Sequence, residues 1–360
     1  MPTPNDNISD LVPYQPGKPI EALARERGIP AERIIKLASN ENPLGMSPKA
    51  SAALQDVMGE LHRYPEQFGL VRALARHTGA GEDQIVLGNG SNDVLDLVAR
   101  TYLGPGNEAV SSQYAFAIYQ IAAQSAGATN VVVPAKDYAH DLDALLRAVT
   151  ANTKVLWLAN PNNPTGTFAP YADVKRFVEQ VPSRVAVVLD EAYYEYLQPS
   201  ERVDTTQWLA AHPNLILVRT FSKIYGLAGL RVGYGLAAPA VVELLNRVRQ
   251  PINVSVAAAA AATAALKDTA FVRRSVALNQ AGRQQLRAGL EELGLTCLPA
   301  YGNFVTVAVP DAAACNEALL DRGIIVRPLA GYGMPDHLRV TIGTQAENEQ
   351  FLVAIREFLR

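Results

Sequence analysis

The chain has 360 residues, 49% of them hydrophobic and 19% charged, with a formal net charge of -3. That length can bury a large core in one to three domains, and the composition is ordinary for a globular enzyme. The charge argues against a nucleic-acid binder that neutralises phosphates along a backbone.

Two cysteines, Cys297 and Cys315, cannot build a disulfide framework and read as inert thiols in a reducing compartment. Met1 to Leu11 lacks the basic region and apolar core of a secretory signal. The apolar stretch Val254 to Leu266 is too short to span a bilayer. No membrane association is expected, and the expected setting is cytoplasmic. The histidines His62, His77, His140, His212 and His337 fall in no metal-ligand spacing, so neither a metal site nor a Ser-His-Asp hydrolase is expected.

In chain order, Met1 to Gly28 reads as an arm, extended over Leu11 to Pro19 because each proline restricts the residue before it. A helix is predicted from Pro48 to Met58. From Ile85 short apolar runs alternate with helical periodicity, which predicts βα units on a mostly parallel sheet. Strands are expected at Ile85–Leu87, Glu108–Ser111, Asn130–Val133, Lys154–Ala159, Val185–Leu189, Leu215–Val218 and Val232–Leu236. After Pro239 helices dominate to about Gly294, with a long one from about Thr269. Short strands at Phe304–Ala308, Ile324–Val326 and Leu338–Ile342 alternate with helices at Ala312–Asp321 and Gln345–Leu359. The expected fold is α/β, a large domain over 46–250 with a smaller α+β domain over 251–360, and 1–45 forming the arm and part of the small domain.

Three buried strands are each expected to end in a polar turn. Val155-Leu156-Trp157-Leu158-Ala159 runs into Asn160-Pro161-Asn162-Asn163-Pro164-Thr165-Gly166, Val185 to Leu189 into Asp190-Glu191-Ala192-Tyr193, and Leu215 to Val218 into Thr220-Phe221-Ser222-Lys223. Strand ends of open α/β sheets are where ligands bind. A lysine after a strand means little alone, but here it follows an amide, a carboxylate and a phenol and precedes the guanidinium of Arg231.

Gly88-Asn89-Gly90-Ser91-Asn92 links a strand to a helix, so backbone can approach an anion closely and the helix N-terminus offers free N–H groups. It is neither a dinucleotide fingerprint, since position 93 is Asp, nor a P-loop. Arg231 and Ser222 would add phosphate donors, although an arginine is as readily a surface ion pair. Asp190 needs a partner to stay charged when buried; a helix cap, Mg²⁺ or a protonated pyridine nitrogen would each serve, and the company of Asn163 and Tyr193 favours the last.

Together these strings resemble the fold-type I pyridoxal phosphate enzymes of the aminotransferase class, most closely those acting on histidinol phosphate. The resemblance runs from about Leu11 to the C-terminus. It implies pyridoxal 5'-phosphate on Lys223 as an aldimine, its ring nitrogen on Asp190, its phenolate oxygen on Asn163 and Tyr193, its ring face on Tyr114, and its phosphate on Ser91, Asn92, Ser222 and Arg231. Tyr64 of a second subunit would also touch the phosphate. The loop Leu37 to Gly45, including Asn42, would cover substrate. Arg327 and Arg339 would take the substrate's phosphate or the carboxylate of glutamate, helped by Tyr14 from the partner's arm in a homodimer.

The implied reaction is ping-pong amino transfer between histidinol phosphate and 2-oxoglutarate, in histidine biosynthesis. An aromatic amino acid aminotransferase on the same scaffold is the near alternative, a threonine-phosphate decarboxylase a further one. Ser112-Gln113 stands where many members carry a proline, and with Ala115-Phe116 could reshape the pocket toward aromatic substrates. Asn92 stands where many are acidic, which matters little if backbone N–H groups hold the phosphate.

Overall fold

The computed structural model describes residues 2–360. Its strands are β1 Ile35–Lys36, β2 Ile85–Gly88, β3 Glu108–Ser112, β4 Thr129–Val133, β5 Thr153–Ala159, β6 Ala186–Asp190, β7 Leu215–Thr220, β8 Gly233–Ala237, β9 Phe304–Ala308, β10 Ile324–Ile325, β11 Arg327–Pro328 and β12 His337–Thr341. Seven form one sheet in the order β2-β8-β7-β6-β5-β3-β4. β8 runs antiparallel to both neighbours, and the remaining pairs are parallel.

The central strands are apolar throughout because both faces are covered. Side chains alternate between them: Leu215 and Leu217 join the core beneath the helices Phe68–Thr78 and Tyr171–Gln180, whereas Ile216 and Val218 join the one beneath Ser91–Tyr102 and Pro239–Val248. The antiparallel β7–β8 pair has a direct consequence for the site. Thr220 pairs with Gly233, so the connecting loop begins and ends at one sheet edge and carries both Lys223 and Arg231 there.

A third core surrounds the three-stranded antiparallel sheet β11-β12-β9, packed by the helices Thr269–Glu292, Ala312–Asp321 and Gln345–Phe358. β1 pairs in parallel with β10, so the segment ahead of the large sheet completes this smaller layer. The alanine-rich helix Val256–Ala265 packs otherwise than a division at 250/251 expects. Val254, Ala258, Ala261, Ala262 and Ala265 lie in the large-sheet core with Leu70 and Leu74. Asp268, whose side chain accepts from the Phe271 N–H, starts the long helix, along which Val272 and Val276 still pack on the large-sheet core while Leu286 and Leu290 join the smaller one.

The arm has no regular secondary structure from Leu11 to Pro19 and is helical at Asp6–Ser9 and Ile20–Arg27. Gly28, left-handed at φ 66°, ends the second helix. The first lies on its own chain: Asn7 Nδ2 donates to the Gln124 carbonyl at 2.9 Å.

Candidate active site

Because β5, β6 and β7 are parallel, Asn163, Asp190 and Lys223 leave the sheet at the same edge, beneath the small layer. They face one cavity of about 230 Å³ that both layers wall.

At one end, Gly90 is left-handed at φ 82°, and a Cβ there would stand 2.2 Å from Arg231 Nη2. A Cβ on Gly233 would stand 2.5 Å from the Ser91 nitrogen. The glycines thus let the guanidinium lie across the loop and the helix start approach β8. Arg231 Nη1 reaches Ser222 Oγ at 3.4 Å. Ser91 and Asn92 open the helix Ser91–Tyr102, where backbone N–H groups have no intrahelical acceptor. Helix end, guanidinium and hydroxyl converge as a phosphate cradle does.

At the other end Asp190 is buried, and burial raises its carboxyl pKa to about 6. Tyr119 Oη donates to Oδ2 at 2.7 Å and the Ala192 N–H to Oδ1 at 3.1 Å. Between the two ends, Lys223 Nζ donates to the Ser39 carbonyl at 3.1 Å and sits 5.9 Å from the Tyr193 ring centre. Burial first, then the positive charge of Arg339, lower its pKa to about 8. Asn163 Oδ1 accepts from Arg339 Nη1. Tyr193 packs edge-on against Phe304 at 5.3 Å, and burial pushes its phenol up to about 12.

Arg327 and Arg339 are directly opposed across the β11–β12 pair and both wall the cavity. Arg339 is buried, donates to the Ala38 carbonyl at 2.8 Å, and keeps a buried Nε with no partner among the described residues. Arg327 lies 5.6 Å above the Tyr14 ring.

Tyr14 walls the cavity, 6.3 Å edge-on from Phe116. Two expectations meet a different geometry. Tyr114 does not line the cavity; the turn after β3 stacks its ring on Tyr138 at 5.4 Å, and Phe116 takes the wall instead. Asn42 lies behind the site, its amide donating to the Ile224 carbonyl and Ser275 Oγ at 2.8 and 2.9 Å. Tyr64, expected at the phosphate site of a second subunit, is 88% exposed on another surface beside Phe68 and Ile252.

Sequence reasoning overlooked Asn40 and Tyr119, and gave Phe116 a part in the pocket's shape but not the place on its wall expected of Tyr114. Tyr119 carried a signal in its spacing, three residues after Phe116 and on one helical face with it. Among the described residues there is no group of three His, Cys, Asp or Glu side chains able to hold a metal.

A phosphate cradle, a buried carboxylate opposite it, an amine between them and a phenol with an amide at the side fit pyridoxal phosphate. Fold and donor set are those of a fold-type I pyridoxal phosphate-dependent transferase. The chain belongs to the class I and II aminotransferase family, whose model matches residues 32–355. It is 57% identical to histidinol-phosphate aminotransferase 1 of Dechloromonas aromatica (strain RCB), over 98% of this chain and 97% of that one. To histidinol-phosphate aminotransferase 1 of Thiobacillus denitrificans it is 55% identical, over 98% and 92%. The crystal structure of histidinol-phosphate aminotransferase from Sinorhizobium meliloti in complex with pyridoxal-5'-phosphate superposes with a TM-score of 0.91 at 31% identity, over 99% of this chain and 97% of that one.

Proposed function

We propose that this enzyme transfers an amino group between histidinol phosphate and 2-oxoglutarate, in two half-reactions and as a step of histidine biosynthesis. The observation that carries the substrate reading is the Arg327–Arg339 pair. Like charges directly opposed on neighbouring strands repel, so the arrangement favours an anion between them. A phosphate monoester or the carboxylate of glutamate meets that demand, and relatives that match the chain end to end are named for histidinol phosphate.

When bound, pyridoxal phosphate supplies an electron-withdrawing ring that makes the α-hydrogen of an amino substrate acidic. Ser91, Asn92, Ser222 and Arg231 would hold its phosphate, Lys223 its aldehyde carbon, Asp190 its ring nitrogen, Tyr193 and Asn163 its ring oxygen, and Phe116 its face. With that group held there, Lys223 Nζ would be the base that takes and returns a proton at the substrate's α-carbon. A pKa near 8 suits an amine that must be neutral for part of the cycle.

Tyr64, Phe68 and Met58 leave an exposed apolar surface that a second copy would cover, consistent with a homodimer in which Tyr64 approaches the partner's phosphate site. In the same reading the helix Val256–Ala265 goes with the large domain, the long helix Thr269–Glu292 links it to the small one, and β1 joins the small domain. No described helix is long and apolar enough to cross a membrane, and the proposed setting is the cytoplasm.

The test is a single-turnover half-reaction: the cofactor-loaded protein is mixed separately with histidinol phosphate, phenylalanine, tyrosine and glutamate, and loss of the visible absorbance is timed. Fast conversion by histidinol phosphate and slow conversion by the aromatics is expected. The reverse order moves the enzyme to aromatic amino acid metabolism, and CO₂ release without pyridoxamine phosphate marks a decarboxylase.

A further inference from the structure

Asn40 is buried and left-handed, with φ 55°, and every polar group it carries has a partner. Its N–H donates to Thr341 Oγ1 at 2.9 Å, its carbonyl accepts from Asn303 Nδ2 at 2.9 Å, its Oδ1 accepts from Thr341 Oγ1 at 3.0 Å, and its Nδ2 donates to Tyr193 Oη at 2.9 Å. The direction of these bonds follows from the donor inventory. Thr341 Oγ1 already accepts the Asn40 backbone proton, so its own hydroxyl proton is directed to the amide oxygen. Turning the amide over would set two donors against the threonine oxygen, with its own proton aimed at them. The amide nitrogen therefore faces Tyr193, the phenol oxygen accepts there, and the phenol's proton is left for the cavity.

We propose that Asn40, oriented by Thr341, is a positioning residue that makes Tyr193 donate its proton into the cavity. The inference rests on the proposed placement of the cofactor's ring oxygen against Tyr193. It adds a physical link between the two layers, because β12 carries both Thr341 and the anion-facing Arg339. A phenol that accepts one hydrogen bond is a stronger donor in the next. The wiring should hold the ring oxygen in its anionic state and lower the pH at which the loaded protein's visible absorbance titrates. The charged and titratable groups facing Tyr193 are Arg339, Asp190, Lys223, Tyr332, Tyr119 and Tyr196, and all six remain in each variant below.

The experiment is a pH titration of visible absorbance in the pyridoxal phosphate-loaded protein and in four variants. Asn40→Gly keeps the left-handed backbone and removes the amide. Thr341→Val keeps the shape and frees the amide to turn, and Asn40→Asp puts an acceptor where the donor stood, pulling the phenol proton away from the cavity. Tyr193→Phe removes the phenol donor. Asn40→Gly and Thr341→Val should raise the midpoint by about half a unit to one unit, the equivalent of one hydrogen bond. Asn40→Asp should raise it further, toward the Tyr193→Phe value. A midpoint raised by Tyr193→Phe but unmoved by the Asn40 and Thr341 variants overturns the wiring. No shift even in Tyr193→Phe overturns the placement of the ring oxygen, and the inference falls with it.

Discussion

Tyr119 fixes one oxygen of Asp190 from inside the protein: its hydroxyl donates to Oδ2 at 2.7 Å while its ring lies parallel to Trp157, 5.3 Å away with the planes 2° apart. The stacked ring has little freedom, so the bond is a fixed direction rather than an adaptable contact. It opposes the burial that raises the Asp190 pKa, and so helps keep the carboxyl ionised, as the proposed pairing with a pyridine nitrogen requires.

Tyr119→Phe retains the stack and removes the bond. Hydrogen bonds to charged groups contribute about 1.5–3 kcal/mol. Affinity for pyridoxal phosphate should therefore fall by about ten- to a hundredfold, measured by equilibrium dialysis. Wild-type affinity in the variant would mean that the Ala192 N–H alone suffices to hold Asp190.

Cofactor-free protein should show the cost of that buried carboxyl. Its folded pKa, about 6, lies above the ordinary 3.8, so the folded state holds the proton more firmly than the unfolded chain. The stability from this group is complete below about pH 4 and is lost as pH rises through 6. Asp190→Asn should raise the cofactor-free melting temperature at pH 8, by an amount on the order of 2–3 kcal/mol of stability, while eliminating turnover. At pH 4 the advantage should vanish. An equal gain at both pH values would point to a cause other than ionisation.

How far the site could be read from the chain depended on whether its residues follow strands. Asp190 and Lys223 each come directly after an apolar run, and burial on both faces makes such runs visible without tertiary information. Asn163 and Arg231 are tied to the same turns. The direction of β8 was not visible, because an apolar run has the same pattern read either way. Tyr114 and Phe116 stand two apart in one turn, where no periodicity decides which ring faces inward. Asn40 depends on Thr341 and Asn303, some 300 and 263 residues away, and no local pattern points to it. The helix Val256–Ala265 is apolar on all sides, so its composition does not say which core it joins.

A second buried relationship ties β6 to β7 beneath the site. Arg219 donates from Nε to Glu191 Oε2 at 2.9 Å, and Tyr171 and Thr205 each donate to Oε1 at 2.9 Å. Glu191 is fully buried. Arg219→Met leaves that carboxylate without its cation and should destabilise the protein by about 3–5 kcal/mol, seen in thermal unfolding. Adding Glu191→Gln should recover part of the loss, because the carboxylate bonded to Arg219 is then neutral. A double variant no more stable than the single one would assign the loss to packing of the guanidinium over Tyr194, 4.5 Å away.

Tyr14 offers a test of both substrate and arm. Its ring lies under the Arg327 guanidinium, and its hydroxyl is available to a bound anion in the same chain's cavity. Tyr14→Phe should raise KM for histidinol phosphate about five- to tenfold and leave the glutamate half-reaction within about twofold, since a phosphate has more oxygens to satisfy than a carboxylate. Equal losses for both substrates would remove the phosphate contact. A mixed dimer then tells which chain the arm serves. One chain carries Lys223→Ala with Tyr14 intact, and the other carries Tyr14→Phe with Lys223 intact, so only the second chain's site can turn over. An arm seated in its own cavity leaves that site with the raised KM. An arm crossing the interface restores the wild-type KM, because the intact Tyr14 then serves the intact lysine.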